Sequence, residues 1–415
     1  MVKSPRMTNS KTSVVAFAAT ALLALQLGTA SADGLQWNDA MKAADRALNE
    51  SRYADAEEFL RTALEEAEKF EPGDRRLDLS LSRLATVLYF QGKYDEAERL
   101  YLRAVAILEK TLGPGHLRVS YILTGLAVIY QTQGKYQEAA PLLDRSLAIR
   151  EKVLGPEHPD VASTLNNLGM LYSAQGQSAQ AEIVYRRALV ILEKVYGPGN
   201  FEVAGTVNNL GIFYSSQGRT AEAEQFLKRA LRTREAALGM KHAEVAASLD
   251  NLGVFYSSHG RAAEAEPLLK RALAIQESIR GPSHPEVAIS LGHLGALYES
   301  QGKPAEAEPL LKRALAIWEG LVGPNDVRVA GTLSNLAKIY KTEGKYAEAE
   351  PLLKRSLAIL ENTRGPKSPE LATDLESYAD LLRKMGRNPE AIEVEARAKG
   401  IRAELASASP PKRDQ

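Results

Sequence analysis

Gly281-Pro282-Ser283-His284-Pro285-Glu286 opens an apolar-periodic run that reaches Tyr298. Gln301-Gly302-Lys303 interrupts it, a second run passes Ala314 to Leu321, and Gly323-Pro324 begins the pattern again. The first glycine recurs at Gly113, Gly155, Gly197, Gly239, Gly281, Gly323 and Gly365, forty-two residues apart each time. A second series, Gly92, Gly134, Gly176, Gly218, Gly260, Gly302, Gly344 and Gly386, keeps the same spacing and halves every unit. A fixed period of this length marks a stacked repeat array, in which length is added without adding separate cores.

Each half-unit reads as a helix, because apolar residues recur three and four apart: Val161, Leu165, Leu168, Leu171 and Tyr172 in one half, Ala181, Val184, Tyr185, Ala188, Ile191 and Leu192 in the next. Gly155-Pro156 stops a helix, since glycine can take the left-handed conformation that closes it and proline cannot continue it. His158-Pro159-Asp160 restarts one, with proline at the first helical position and an acid at the positive end of the helix dipole. Pro141, Pro267, Pro309 and Pro351 fall several residues inside the second helix, where proline costs about 3 kcal/mol. A bend or a late helix start is expected there.

The chain has 415 residues, 45% hydrophobic and 25% charged, enough apolar material to bury and no sign of general disorder. Its 52 basic and 52 acidic residues give no net positive face for phosphate neutralisation, which argues against a nucleic-acid partner. With no cysteine, disulfides, thiolate metal sites and thiol nucleophiles are excluded. Lys3, Arg6 and Lys11 precede the apolar stretch from Ser13 to Leu27, and Ala30-Ser31-Ala32 supplies a cleavage site, so residues 1–32 read as a signal peptide cut before Asp33. The apolar run is too short to span a bilayer. The mature chain then carries 49 basic against 52 acidic residues and is expected in the periplasm or secreted, with no membrane span. Residues 33–73 read as a divergent capping helix pair, residues 74–406 as eight regular units and residues 407–415 as a disordered tail.

Leu165, Leu168, Gly169, Tyr172, Ala181, Tyr185 and Ala188 stand at the separations of the tetratricopeptide consensus, which this pattern resembles. That repeat usually has a period of thirty-four residues. The forty-two-residue form, with Gly-Pro-x-His-Pro, Leu-Asn-Asn-Leu and Gln-Gly-Lys, is similar to the kinesin light chain subtype and covers nearly the whole mature chain. The resemblance implies an all-α, right-handed superhelical solenoid of about nine antiparallel helix pairs whose first helices line a concave groove. The heptad coiled coil that joins kinesin light chains to the motor is missing, so motor function does not carry over. Gly239-Met240 lacks the proline and Ala243 replaces the second one, which weakens a loop and not the fold.

Catalytic and cofactor signatures are absent: there is no phosphate-binding glycine loop, no His-Glu-x-x-His and no Gly-x-Ser-x-Gly. The chain therefore reads as a non-enzyme with no cofactor and no metal. His116, His158, His242 and His284 recur too far apart to share one ion, because a helix-packing distance of roughly 8–10 Å separates successive units and zinc ligands lie about 2 Å from the metal. They read as helix-start or loop residues. Lys228-Arg229, Lys270-Arg271, Lys312-Arg313 and Lys354-Arg355 form a basic pair in the second helices. Glu224, Glu266, Glu308 and Glu350 lie four residues before each lysine, so the pairs read as a solvated face.

The candidate binding residues are on the first helices. Asn167, Asn209, Asn251, His293 and Asn335 stand in register, although asparagine is a poor helix-interior residue. A primary amide offers both a donor and an acceptor to an extended peptide backbone, and the resemblance implies that asparagines at this place clamp a partner's main chain. Met170, Ile212 and Val254, three residues further on, share that face. Asn166, Asn208 and Asp250 immediately precede the series and compete for the same role. The ladder changes to Arg83 and Gly125 at one end and Ser377 at the other, so a site centres on units four to eight. Two readings stay open: the amides bind a protein or peptide partner, or they hydrogen-bond neighbouring helices and hold the stack. A self-associating scaffold of an envelope assembly is the alternative function.

Overall fold

The computed structural model of the protein describes residues 35–50, 52–71 and 73–408. The expected signal peptide, residues 1–32, lies outside them. Among the described residues the chain forms eighteen helices and no strand, in nine consecutive pairs. These are α1 (Leu35–Asn49) with α2 (Tyr53–Ala67), α3 (Arg75–Phe90) with α4 (Tyr94–Leu112), and α5 (Leu117–Thr132) with α6 (Tyr136–Leu154). Next come α7 (Pro159–Ala174) with α8 (Ser178–Tyr196), α9 (Phe201–Ser216) with α10 (Thr220–Leu238), and α11 (Ala243–Ser258) with α12 (Ala262–Arg280). The last are α13 (Pro285–Ser300) with α14 (Pro304–Val322), α15 (Val327–Thr342) with α16 (Tyr346–Arg364), and α17 (Pro369–Lys384) with α18 (Asn388–Ala408). Helix α18 thus takes in Ser407 and Ala408, where composition reads as tail. The helices gather into two compact units, one ending at His259 and the other beginning at Gly260, so the division falls in the turn between α11 and α12.

Two turn types explain the two glycine series. At the end of α7, Gly176 adopts φ 74°, its amide bonds the Ser173 carbonyl at 3.1 Å, and the Gln177 amide reaches back to the Tyr172 carbonyl at 2.8 Å. This is a Schellman closure, which needs a residue free to take positive φ. At the end of α6, Gly155 takes φ 89° and bonds the Glu151 carbonyl at 3.0 Å before Pro156 turns the chain away.

The core of the N-terminal unit runs through Leu84, Leu88, Leu123 and Leu126 and on to Val161, Leu165 and Leu168; that of the C-terminal unit gathers Val287, Leu291, Trp318, Leu333, Leu360 and Leu371. Each fully buried leucine contributes about 1.5–3 kcal/mol. Small residues on the first helices let the second helices close in. A Cβ on Gly169 would lie 2.6 Å from Tyr185 Cε1, and one on Gly295 would lie 2.8 Å from Leu311 Cδ2. The first helices sit between neighbours and are the more enclosed: α9 buries twelve of its sixteen residues, α10 only five of nineteen.

The internal prolines correct one expectation. Helix α6 begins at Tyr136, five residues ahead of Pro141, and α12, α14 and α16 likewise run through Pro267, Pro309 and Pro351 with no late start. The cost is moderated by position. The residues whose carbonyls lose a donor, Gln137, Ala263, Ala305 and Ala347, are all exposed, so water can take the place of the missing amide.

Candidate functional site

The evenly spaced histidines are helix caps. Nδ1 of His116, His158, His242 and His284 accepts the amide of Arg118, Asp160, Glu244 and Glu286 at 3.1–3.2 Å, at the start of α5, α7, α11 and α13. Asp74, Asn200, Asp326 and Ser368 perform the same task at the start of α3, α9, α15 and α17. Such caps satisfy an amide that the helix itself leaves unpaired. Among the described residues no group of three His, Cys, Asp or Glu side chains is placed to hold a metal ion.

The basic pairs on the second helices are also committed to the fold. Lys228, Lys270, Lys312 and Lys354 reach Glu224, Glu266, Glu308 and Glu350 of their own helices at 2.6–2.8 Å. The arginines reach backwards instead. Arg229, Arg313 and Arg355 pair with Glu193, Glu277 and Glu319 of the preceding second helix and donate to the carbonyls of Pro198, Pro282 and Pro324. The same glutamates that hold the lysines also accept from tyrosines ending the next first helix: Tyr256 on Glu224, Tyr298 on Glu266 and Tyr340 on Glu308, each at 3.0 Å. Each of these acids therefore ties a lysine of its own helix to a tyrosine of the next.

The asparagine ladder divides between the two compact units. In the N-terminal unit Asn167, Asn209 and Asn251 are buried, at 3%, 6% and 8% exposure. Asn251 Nδ2 donates to Asn208 Oδ1 at 3.0 Å and Asn166 Nδ2 to Thr206 Oγ1 at 2.6 Å, so both registers of the ladder bond across neighbouring first helices. Met170, Ile212 and Val254 are half-buried beside them. In the C-terminal unit the equivalent places open: His293 is half-buried and Asn335 exposed. Helices α13 and α15 bury eight and seven of sixteen residues. Gly292 on α13 and Gly331 on α15 meet nothing within 4 Å of an added Cβ, unlike Gly169 and Gly295.

Two buried arginines escape a reading by motif. Arg150 of α6 is 2% exposed, stacks on the Tyr121 ring at 4.6 Å, and donates to the Asp160 carbonyl at 2.9 Å, Thr164 Oγ1 at 2.8 Å and Ser120 Oγ at 3.2 Å. Burial pulls its pKa down. Tyr121, which donates to Asp160 Oδ2 at 2.6 Å, is pushed up to about 12 by burial and by that bond. Arg234 of α10 repeats the arrangement, bonding Ser248 Oγ at 2.8 Å and pairing with Glu244 at 2.7 Å. The signal was present: forty-two residues away the same place is Leu108 or Leu192, so an arginine there breaks an apolar register. Its donors are spent on the protein's own oxygens, which makes it a joint between helices and not a reactive centre.

No helix among the described residues is long and apolar enough to cross a membrane. The tetratricopeptide repeat family matches the chain at residues 38–110, 76–152, 118–194, 202–278, 251–320 and 328–404. A comparison with curated proteins finds no match. Among solved structures, a Rap protein complexed with Competence and Sporulation Factor is 17% identical, over 90% of this chain and 98% of that one, with a TM-score of 0.60. Aspartyl phosphate phosphatase F from Bacillus subtilis is 16% identical over 91% and 96%, with a TM-score of 0.53. The kinesin light chain-type TPR-like repeats of Podosopora anserina are 24% identical over 52% and 99%, with a TM-score of 0.42. At these identities the likeness is one of fold. The period, the paired helices and the family match over most of the sequence agree, and the chain belongs to the tetratricopeptide repeat family.

Proposed function

We propose that the protein binds an extended segment of a partner protein along the first-helix faces of its C-terminal unit. The tetratricopeptide fold is typical of protein–protein interaction modules, and the Rap protein that shares it was solved in complex with a factor. The observation that carries the reading is the open face of α13 and α15. Glycine inside a helix costs about 0.5–1 kcal/mol relative to alanine. Gly292 and Gly331 bear that cost where no internal neighbour needs the space, beside the exposed amide of Asn335 and the exposed Ala296. A peptide main chain approaching closely would use both. Asn167, Asn209 and Asn251 then serve mainly to hold the first helices of the N-terminal unit together, with Met170, Ile212 and Val254 packing alongside.

Capture from an extract of the source organism tests this. Gly331→Leu and Asn335→Ala, with circular dichroism unchanged, are expected to retain at least tenfold less partner than the wild type, a loss of about 1.4 kcal/mol. The Asn167, Asn209, Asn251 triple alanine variant is expected to lose stability first. Full capture by Gly331→Leu would sink the groove reading, and a concentration-dependent mass alongside it would point to a self-associating scaffold. The proposal includes export, so the partner is met in the periplasm or outside the cell. Sequencing of the recovered protein is expected to begin at Asp33; a cytoplasmic protein that keeps Met1 would refute export.

A further inference from the structure

Along one edge of the N-terminal unit the second helices end and the loops to the following first helices begin. Arg145, Arg187 and Arg229 hold these ends side by side. They pair in turn with Glu109, Glu151 and Glu193 of the preceding second helix, and they donate to the carbonyls of Pro114, Pro156 and Pro198 in its loop. Apolar side chains project from this edge: Leu112, Val153, Val195, Tyr196, Phe201 and Met240 are 37–57% exposed. Tyr196 ends α8 and Phe201 begins α9, so the loop between them carries an aromatic at each end. Met240 stands where the loops before it have proline.

The charges of the edge are sorted. Most of its acids are answered within the fold, Glu109, Glu151 and Glu193 by the arginines, Glu157 by Lys194 and Glu244 by Arg234. Glu202, beside Phe201, has no such cation. Lys110, Lys152 and Lys241 are all exposed, and among the described residues no acid pairs with them. Lys110, Lys152 and Lys194 occupy one register place, third from the end of the second helix; in the C-terminal unit that place is Ser278, Gly320 and Asn362. A basic residue in the last turn suits the helix dipole. That role leaves Lys241, in a loop, and the projecting apolar side chains without a reason.

Unpaired cations beside protruding apolar groups fit an occupant that offers negative charge and an apolar interior together. We infer that this edge docks on a lipid surface carrying anionic headgroups. Lysine can lay its methylene stem on apolar surface while its ammonium stays among the headgroups, and tyrosine favours the membrane–water boundary. Geometry prefers a lipid to a folded partner. The contacts sit at the tips of successive repeats, roughly 8–10 Å apart, a comb that a fluid surface accommodates and a close-packed interface does not. Residue choice agrees, because protein interfaces are depleted in lysine and enriched in arginine, and the arginines of this edge are spent on the fold. Each lysine beside an anionic surface raises affinity about fivefold.

Vesicle sedimentation provides the test, with the chain from Asp33 onward, which contains every described helix and lacks the apolar stretch before it. It is expected to bind vesicles of equal parts phosphatidylglycerol and phosphatidylcholine, and to bind phosphatidylcholine vesicles far more weakly. Lys110→Gln, Lys152→Gln and Lys241→Gln together, with circular dichroism unchanged, are expected to weaken binding to the anionic vesicles about a hundredfold. Because the chain has no cysteine, a single label reports the edge independently of that variant. A polarity-sensitive dye attached to Val195→Cys is expected to shift to the blue on anionic vesicles. The same dye on Ile392→Cys, exposed in the C-terminal unit, is expected to keep its emission. Absence of binding, equal binding to the two vesicle types, full binding by the lysine variant, or a dye shift at Ile392 without one at Val195 overturns the proposal. Absence of binding together with a concentration-dependent mass would make the edge a contact between copies of the chain.

Discussion

Replacing Gly169 with alanine is expected to lower stability by about 1–3 kcal/mol, the usual penalty of overpacking a filled core. The added Cβ would lie 2.6 Å from Tyr185 Cε1 and 2.7 Å from Cδ1 and Cζ, so the ring must move. It has little room. Tyr185 is 3% exposed and its ring lies against Phe213, with centroids 5.8 Å apart. A backbone shift of α8 is the alternative, and it would spread the strain into the packing of Ala188 and Ile191. Gly331→Ala provides the contrast, because its Cβ meets nothing and the helix gains about 0.5–1 kcal/mol. Denaturant midpoints by circular dichroism should therefore move in opposite directions. Equal midpoints for the two variants would show that the close approach of α7 and α8 is not set by that glycine.

Acidification should act on the C-terminal unit through His284. Its ring is 8% exposed, and its Nδ1 must be unprotonated to accept the Glu286 amide. Burial, with the nearby Arg280 charge, pushes its pKa down to about 4. A base whose folded value is depressed binds fewer protons when folded, so its contribution is complete above the unfolded value of about 6.5 and is lost as pH falls towards 4. The difference corresponds to about 3 kcal/mol over that window. Trp318 shares a core with Val287 and Leu291 of the helix that His284 caps, so its fluorescence reports the change, with Trp37→Phe removing the other indole. His284→Asn, which copies the cap at Asn200, is expected to flatten the pH dependence between 6.5 and 4. An unchanged slope in that variant would assign the acid sensitivity to other groups.

The period, the helix pairing and the closing glycines were legible in the sequence because each rests on local physics that neighbours reinforce. The histidines were legible as helix-start residues for the same reason. A late helix start at the prolines does not occur, because the carbonyls that lose a donor belong to exposed residues such as Gln137 and Ala347, where water can replace the missing amide. The phase of the asparagine ladder could not be settled by periodicity. First helices such as α9 are enclosed on most sides, so Asn208 and Asn209 are both buried and no simple stripe separates them. The lysine-to-glutamate contacts followed from spacing within one helix. The reach of Arg229 to Glu193 and Pro198 required knowing how second helices lie beside one another.

Those backward-reaching arginines bear on how the protein deforms. Each ties a second helix to its predecessor and to the loop between them, and each lies at a surface that salt can screen. The apolar joints beneath carry no charge for salt to screen. Within each compact unit two kinds of tie therefore act in parallel between successive second helices, an inner apolar one and an outer ionic one that weakens as ionic strength rises.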